Sequence, residues 1–218
     1  VTAADLASTF DAAVAGGESY VDMHDISCNV LAADKVLYHG HAVAAVAAIS
    51  QRAARAALAA IHVEYEALPA VFDLDAAMHA DAPILHPMMR TRGLAEVPEK
   101  ASNIASRMVM QKGDVDAGFA ASEIVLERTY TCASAHQGYI EPHACVASVG
   151  ADGQTDIWVC TQGHFAVRSY TAALLGMDPA SIRVTASEIG GGFGGKTTVY
   201  LEPLAAAQPF AGQRQHVA

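Results

Sequence analysis

Much of what this 218-residue chain could have been is excluded by what it lacks. No uninterrupted apolar run reaches the roughly 18 residues of a membrane-crossing helix, so none is expected. The four cysteines, Cys28, Cys132, Cys145 and Cys160, stand far apart and form no C-x-x-C pair. That spacing offers neither a zinc ribbon nor an iron–sulfur site in this chain. Buried, reduced thiols in a reducing cytoplasm are the expectation. Charged residues make up only 17% of the chain, and 13 basic against 23 acidic residues give a net charge of −10. So few scattered cations cannot assemble a basic face, which argues against nucleic acid as a partner. The opening Val-Thr-Ala-Ala-Asp has neither the basic segment nor the apolar core of a secretory signal. It also lacks Met, so a start inside a longer protein is expected.

What is present is a globular composition, 52% hydrophobic with alanine prominent. The chain is long enough for one or two domains with a real core. Thr2 reads as the N-cap of a helix over 3–15, closed by Gly16-Gly17. The apolar run 42–49 predicts a strand covered on both faces. Ser50 caps a helix to about residue 60, and 61–65 alternates as a strand, completing a small βαβ unit. Asp73 caps a short helix ending near His79. Pro83, Pro87, Gly93 and Pro98 mark 81–100 as a linker. Beyond it, strands are predicted near 103–111 and 123–133, with a short capped helix over 113–119 between them. Strands at 144–149 and 154–160 are joined by Ala151-Asp152-Gly153, a hairpin signal. A helix over 163–175 follows, with Val167, Tyr170 and Leu174 on one face and a stop at Gly176 and Pro179. A strand over 182–186 comes next. The fold class is α+β.

The most informative segment is 188–198, Glu-Ile-Gly-Gly-Gly-Phe-Gly-Gly-Lys-Thr-Thr. Five glycines around one Phe mark a place where backbone comes close to something, because glycine reaches positive φ freely and has no Cβ. Gly190, Gly195, Lys196 and Thr197 match the phosphate-loop pattern G-x-x-x-x-G-K-[ST], and Gly190, Gly192 and Gly195 match the dinucleotide pattern G-x-G-x-x-G. Context opposes both. A phosphate loop opens a long helix, and Pro203 falls where that helix would run. A dinucleotide loop needs an acidic residue about 20 positions on, and the tail from Gln208 to Ala218 has none.

The order of strand, Thr161-Gln162, helix, strand and Gly-Gly-Gly-Phe-Gly-Gly-Lys resembles the molybdenum-binding region of the molybdenum hydroxylases. That family comprises the xanthine dehydrogenases, aldehyde oxidases and carbon monoxide dehydrogenase large subunits. The segment His136-Gln137-Gly138-Tyr139-Ile140-Glu141-Pro142-His143 resembles it too. So does Val43-Ala44-Ala45-Val46-Ala47-Ala48, followed by a helix and Ile61-His62-Val63-Glu64-Tyr65-Glu66-Ala67-Leu68-Pro69. The likeness covers nearly the whole chain in collinear order. It implies a partial α/β hammerhead domain over 1–80, a linker over 81–100, and the first part of a molybdopterin-binding domain over 101–218, with mixed sheets and helices. The tail 208–218 departs from the family continuation, and truncation or a shift of frame there is expected. The implied activity is hydroxylation of an aldehyde or N-heterocycle with water-derived oxygen. The implied cofactor is molybdenum–molybdopterin, with the cytosine dinucleotide form as one option. Implied partners are an iron–sulfur (2Fe-2S) subunit and an FAD subunit, in the cytoplasm. No catalytic residue is expected within the chain, since the family's general-base glutamate lies far toward the C-terminus, beyond residue 218. No protein metal ligand is expected either, since the family's pterin dithiolene holds the metal.

The resemblance assigns cofactor contacts to Gln162, Gly191, Gly192, Phe193, Gly194 and Gly195. In it, Gln162 donates its amide to an oxo ligand and Phe193-Gly194 lies over the metal's coordination sphere. The chemistry suits such a site, because negatively charged metal ligands need fixed donors without bulk, and glycine N–H groups form an anion-binding concavity. Phe193 is expected to wall the pocket against water. Lys196 is left with two roles open, a buried ion pair or a substrate contact. Thr197 stands where xanthine-specific members carry Glu, which turns the expectation from purine toward aldehydes and other N-heterocycles. Glu141-Pro142 reads as a turn beside the cofactor domain. His136, Glu141 and His143, and separately His39 and His41, are ligand-type residues, but two ligands do not make a metal site. Two readings of other classes stay open: a P-loop NTPase through 190–197, and a catalytically inactive structural or interaction module.

Overall fold

The computed structural model describes residues 1–7, 14–16, 19–96, 98–207 and 214–217. The chain divides into two compact units, one of Val1–His62 with Ala135–Ala218 and one of Val63–Ser134.

The first unit is organised by a four-stranded mixed sheet. Strands β3 (Cys145–Val149) and β4 (Thr155–Val159) form the predicted hairpin. Its turn works because Gly153 sits at φ +82 and donates its N–H to the Gly150 carbonyl at 3.0 Å. Helix α5 (His164–Leu175) then carries the chain to β5 (Ile182–Ala186), which lies parallel to β4. Strand β6 (Arg214–Val217) pairs antiparallel with β3 on the other edge, giving the order β5-β4-β3-β6. Thr155, Ile157 and Val159 alternate inward along β4 while Asp156 and Trp158 face out, as a half-buried strand requires. Val167, Tyr170 and Leu174 cover that face from α5. Burying an Ile or Leu so completely contributes about 1.5–3 kcal/mol each. Helix α5 stops where Gly176 takes φ 63, a left-handed cap whose N–H reaches back to the Ala172 and Ala173 carbonyls.

Earlier in this unit, three expectations change. Where a helix is predicted over 3–15, Ala3–Asp5 form a 3₁₀ turn, and 14–16 belong to strand β1 (Val14–Gly16), paired with β2 (Ser19–Val21). Residues 8–13 lie outside the described residues. Asp5 binds back to both the N–H and hydroxyl of Thr2, which closes one turn, and the next residue, Leu6, turns extended into the core. A helix that was not expected, α1 (Met23–Val30), is capped by Asp22 accepting from His24 N–H at 3.0 Å. It buries Met23, Ser27 and Val30, one stripe at helical spacing. The apolar run 42–49 is not a strand. It has one reciprocal backbone pair, between Ala45 and Val1, and no ladder. Helix α2 (Gln51–Ala60) forms as predicted under Ser50, whose side chain accepts from Ala53 N–H. The alternating stretch 61–65 that follows forms no strand.

The second unit holds two short helices, α3 (Leu74–Met78) and α4 (Val115–Ala120), each capped by the predicted aspartate, Asp73 and Asp114. Neither 103–111 nor 123–133 forms a strand. A lone bridge between Arg92 and Ser106 is the one ladder contact of this unit among the described residues. Asn103 ties its loops together, accepting from Leu85 N–H and donating to the Ala77 and Pro83 carbonyls. Helix α6 (Glu202–Ala206), back in the first unit, packs a buried face onto the sheet. Among the described residues, no helix is long and apolar enough to cross a membrane.

Candidate functional site

Two parallel neighbours end on the same edge of a sheet. Strand β4 ends at Val159 opposite Ala186 of β5, so the residues after both strands emerge together. This is the crevice at the carboxyl ends of parallel strands where α/β sheets bind ligands. Gln162 follows β4 and the glycine loop follows β5. The two meet through hydrogen bonds. The Gln162 side-chain Oε1 accepts from Gly194 N–H at 3.1 Å and Lys196 N–H at 3.2 Å, and its backbone N–H donates to the Lys196 carbonyl at 2.9 Å. The Thr161 hydroxyl donates to that same carbonyl at 3.1 Å and accepts from Gly163 N–H. Two N–H groups facing one side-chain oxygen leave the Gln162 NH₂ on the other side, as a donor.

The glycines divide by what each is needed for. Gly191 and Gly194 hold φ of 96 and 86, the left-handed region where a side chain is strained. Gly190, Gly192 and Gly195 are needed for space. A Cβ at 190 would sit 2.6 Å from Glu141 Cβ, at 192 2.5 Å from Gln162 Oε1, and at 195 2.8 Å from the Tyr139 ring. Phe193 is itself left-handed at φ 49, a conformation costing a side-chain-bearing residue roughly 1–2 kcal/mol. It is 71% exposed rather than buried against the loop. Gly190 N–H is taken by Glu141 Oε2 at 2.7 Å, and Gly195 N–H by the Gly192 carbonyl at 2.8 Å. Among the described residues, the three N–H groups of 191–193 have no acceptor. A row of free donors beside a Gln NH₂ suits an anionic, oxygen-rich ligand, so the residues present fit a molybdopterin-type cofactor.

Lys196 resolves its two roles. Its side chain is 1% exposed and its Nζ pairs with Glu141 Oε2 at 2.8 Å, with Glu141 33% exposed. The Tyr139 ring covers the ammonium at 5.0 Å. Burial, the largest single influence, pulls the ammonium pKa down, but the hydrogen bond it donates to Glu141 and the attractions of Cys160 and Glu141 together outweigh it, and the net direction is up. The Lys196 hydrogen bond, then Gly190 N–H, hold the Glu141 carboxyl below the usual range. Glu141 is therefore a loop partner rather than a turn former, and it is the residue that sequence reasoning missed. The one signal available was its place in the His136–His143 segment. His143 Nε2 lies 3.1 Å from the Tyr139 hydroxyl, and burial together with Lys196 lowers its pKa. His136 Nδ1 accepts from Gly138 N–H. His41 is a satisfied core residue, accepting from Leu37 N–H and bonding the Cys28 carbonyl at 2.7 Å. Among the described residues, no three His, Cys, Asp or Glu gather as a metal site. Cys145 and Cys160 are buried thiols as expected, with burial pushing Cys145 up to about 12, but Cys132 is exposed.

A phosphate loop needs its lysine free to reach a phosphate and a helix directly behind the Ser or Thr. Here the lysine is committed to Glu141, and the next helix is the five-residue α6 starting at Glu202.

Comparison with known proteins agrees. Residues 97–213 match the molybdopterin cofactor-binding domain, and residues 1–69 match the aldehyde oxidase and xanthine dehydrogenase a/b hammerhead domain. The chain is 33% identical over 196 residues to the probable hypoxanthine oxidase XdhD of Escherichia coli (strain K12), covering 79% of this chain and 20% of that protein. It is 32% identical over 172 residues to the nicotinate dehydrogenase large molybdopterin subunit of Eubacterium barkeri, covering 79% of this chain and 37% of that one. The aldehyde oxidoreductase of Desulfovibrio gigas shares the fold with a TM-score of 0.68 at 23% identity, over 95% of this chain and 22% of its own. The chain thus spans about a fifth to a little over a third of the length of these relatives. With over half its length in the cofactor-binding match and its start in the hammerhead match, the chain belongs to the molybdenum hydroxylases, the family of xanthine dehydrogenases, aldehyde oxidases and carbon monoxide dehydrogenase large subunits.

Proposed function

We propose that this chain forms part of the cofactor site of a molybdenum-dependent oxidoreductase that hydroxylates an aldehyde or N-heterocycle with water-derived oxygen. The observation that carries the reading is Gln162, clamped through its oxygen by Gly194 and Lys196 so that its NH₂ is left as a donor, on the same loop whose 191–193 N–H groups have no acceptor among the described residues. When bound, the molybdenum cofactor supplies the two-electron redox chemistry. The chain's own residues bind and orient it. Gln162 donates one fixed hydrogen bond, Gly191, Gly192 and Phe193 donate from the backbone, and Gly194 and Gly195 let the loop lie close without side-chain bulk. Preset donors of this kind stabilise charge without reorganising. Phe193, apolar, exposed and held in a strained conformation, would be covered by the bound cofactor.

The domain assignment, 1–80 hammerhead, 81–100 linker and 101–218 molybdopterin-binding, is supported by the two family matches at 1–69 and 97–213. The substrate is assigned outside the purines on Thr197, whose hydroxyl is turned back to the Gly194 carbonyl at 3.2 Å. The general-base glutamate is assigned to sequence beyond residue 218. Partners carrying 2Fe-2S and FAD are proposed, supported by the Eubacterium barkeri relative being a subunit. The cytosine dinucleotide form of the pterin and a cytoplasmic location complete the proposal, the latter supported by the free thiols. The test is molybdenum and pterin analysis of the natively expressed protein. Stoichiometric pterin, lost in Gln162→Ala and in Gly192→Val while circular dichroism is unchanged, is expected. Absence of pterin from the wild-type protein overturns the proposal.

A further inference from the structure

Resting on that reading, we propose that Lys196 and Glu141 are positioning residues: a latch that holds the glycine loop in its binding shape rather than a bond the fold needs for stability. A single oxygen, Glu141 Oε2, receives both ends of the loop. Gly190 N–H reaches it at 2.7 Å and the Lys196 ammonium at 2.8 Å. Glu141 also donates its own N–H to the Gly190 carbonyl at 3.3 Å. The loop is thereby closed into a ring whose clasp is one carboxylate. Gln162 Oε1 fixes the next points inward, at Gly194 and Lys196, and the Gly192 carbonyl fixes Gly195. Only the donors of 191–193 are left over, and they are the ones the ligand reading uses.

An ion pair with one fully buried member is a poor source of net stability, because desolvating the ammonium offsets most of the attraction. Such pairs are better explained by the geometry they enforce. The Tyr139 ring lies over Lys196 and fills the space a Cβ at Gly195 would need, so it belongs to the same clasp. Every element of the clasp outside the loop comes from 139–141 and 161–162, so the loop's shape is set by residues that carry none of the proposed backbone donors.

The experiment compares Glu141→Gln and Lys196→Met with wild type in the natively expressed protein, by hydrogen exchange and pterin content. Gln keeps an acceptor for Gly190 N–H, and Met fills the lysine's volume without its charge, so both variants should fold. Expected is exchange at 190–196 faster by about tenfold in Lys196→Met, with 145–159 unchanged and a melting temperature close to wild type. Glu141→Gln, which leaves the buried ammonium without its counter-charge, should loosen the loop at least as much as Lys196→Met, and pterin content should fall in both. Loop exchange that stays at the wild-type rate in both variants overturns the latch. So does exchange that rises equally across 145–159, which would mean a role in stability alone. A wild-type protein without pterin sinks the proposed function instead, and the exchange data then decide the latch by themselves.

Discussion

The sheet of β3–β6 and the unit spanning 63–134 are both rich in apolar residues, yet they end in opposite states. Ile157 in the sheet, and Val167 and Leu174 of α5 packed on it, are wholly buried. In the other unit, Met110 and Tyr130 are each 87% exposed and Val125, Leu126 and Ile124 are exposed beside them. The difference is partners. β4 has β3 on one side and β5 on the other, and α5 over its face. The stretches 103–111 and 123–133 have the composition of strands, but among the described residues the first pairs only through the lone bridge of Ser106 to Arg92 and the second joins no ladder. A strand's backbone bonds are all non-local, so composition alone cannot close them. A helix turn is local, which is why α3 and α4 form in the same poorly packed unit under their aspartate caps.

The largest effect expected from this contrast is in truncation. Ile157→Ala or Leu174→Ala should cost about 2–5 kcal/mol in urea denaturation of the 218-residue chain. Tyr130→Ser or Met110→Ser should move the midpoint by no more than about 0.5 kcal/mol. Equal costs at the two places would break the comparison. Next in size, Gly176→Ala forces a side chain into the left-handed cap of α5 and should cost about 1 kcal/mol, read as a lower melting temperature. Asp114→Ala sharpens the point from the other side. It should remove about 1 kcal/mol from α4 alone, seen as faster exchange at 115–120, while the global melting transition stays in place. The smallest effect is at Glu202. Its carboxyl is buried, and burial raises its pKa despite N–H bonds from Tyr200 and Leu201. A raised carboxyl stabilises below its ordinary value of 4.5 and loses that contribution as pH rises through the folded value. Glu202→Gln, which keeps the acceptor, should therefore gain on wild type as pH goes from 4 to 8. A constant difference across that range would show that the carboxylate is not penalised by burial.

Legibility in the sequence followed the same division. Ser50, Asp73, Asp114, the Asp152-Gly153 hairpin and the Gly176 stop are local signals, and each element formed where it was predicted. The strands predicted at 42–49, 61–65, 103–111 and 123–133 depended on partners that local patterning does not report. The 3–15 helix failed because Leu6 was drawn into the core, an event set by tertiary packing. Helix α1 was readable in principle, through Asp22 and the 23, 27, 30 stripe, but its Asn, Cys and β-branched residues hide the pattern. At the site, the meeting of Gln162 with the loop was legible because strand, helix, strand order puts two strand ends on one edge. The Glu141–Lys196 pair was not, since 55 residues separate its members and no periodicity links them.

The three glycines that fit around Glu141, Gln162 and Tyr139 change what the loop's spelling records. Those positions are dictated by the protein's own side chains, so a library selected for folding alone, with no cofactor present, should still return glycine at 190, 192 and 195. The motif is in that sense written twice, once by the interior and once by the ligand. Loops built for phosphates and for dinucleotides arrive at similar letters because each must also thread a backbone through a crowded sheet edge. What distinguishes them is carried by the residues that crowd it, here a glutamine, a glutamate and a tyrosine that no glycine pattern contains.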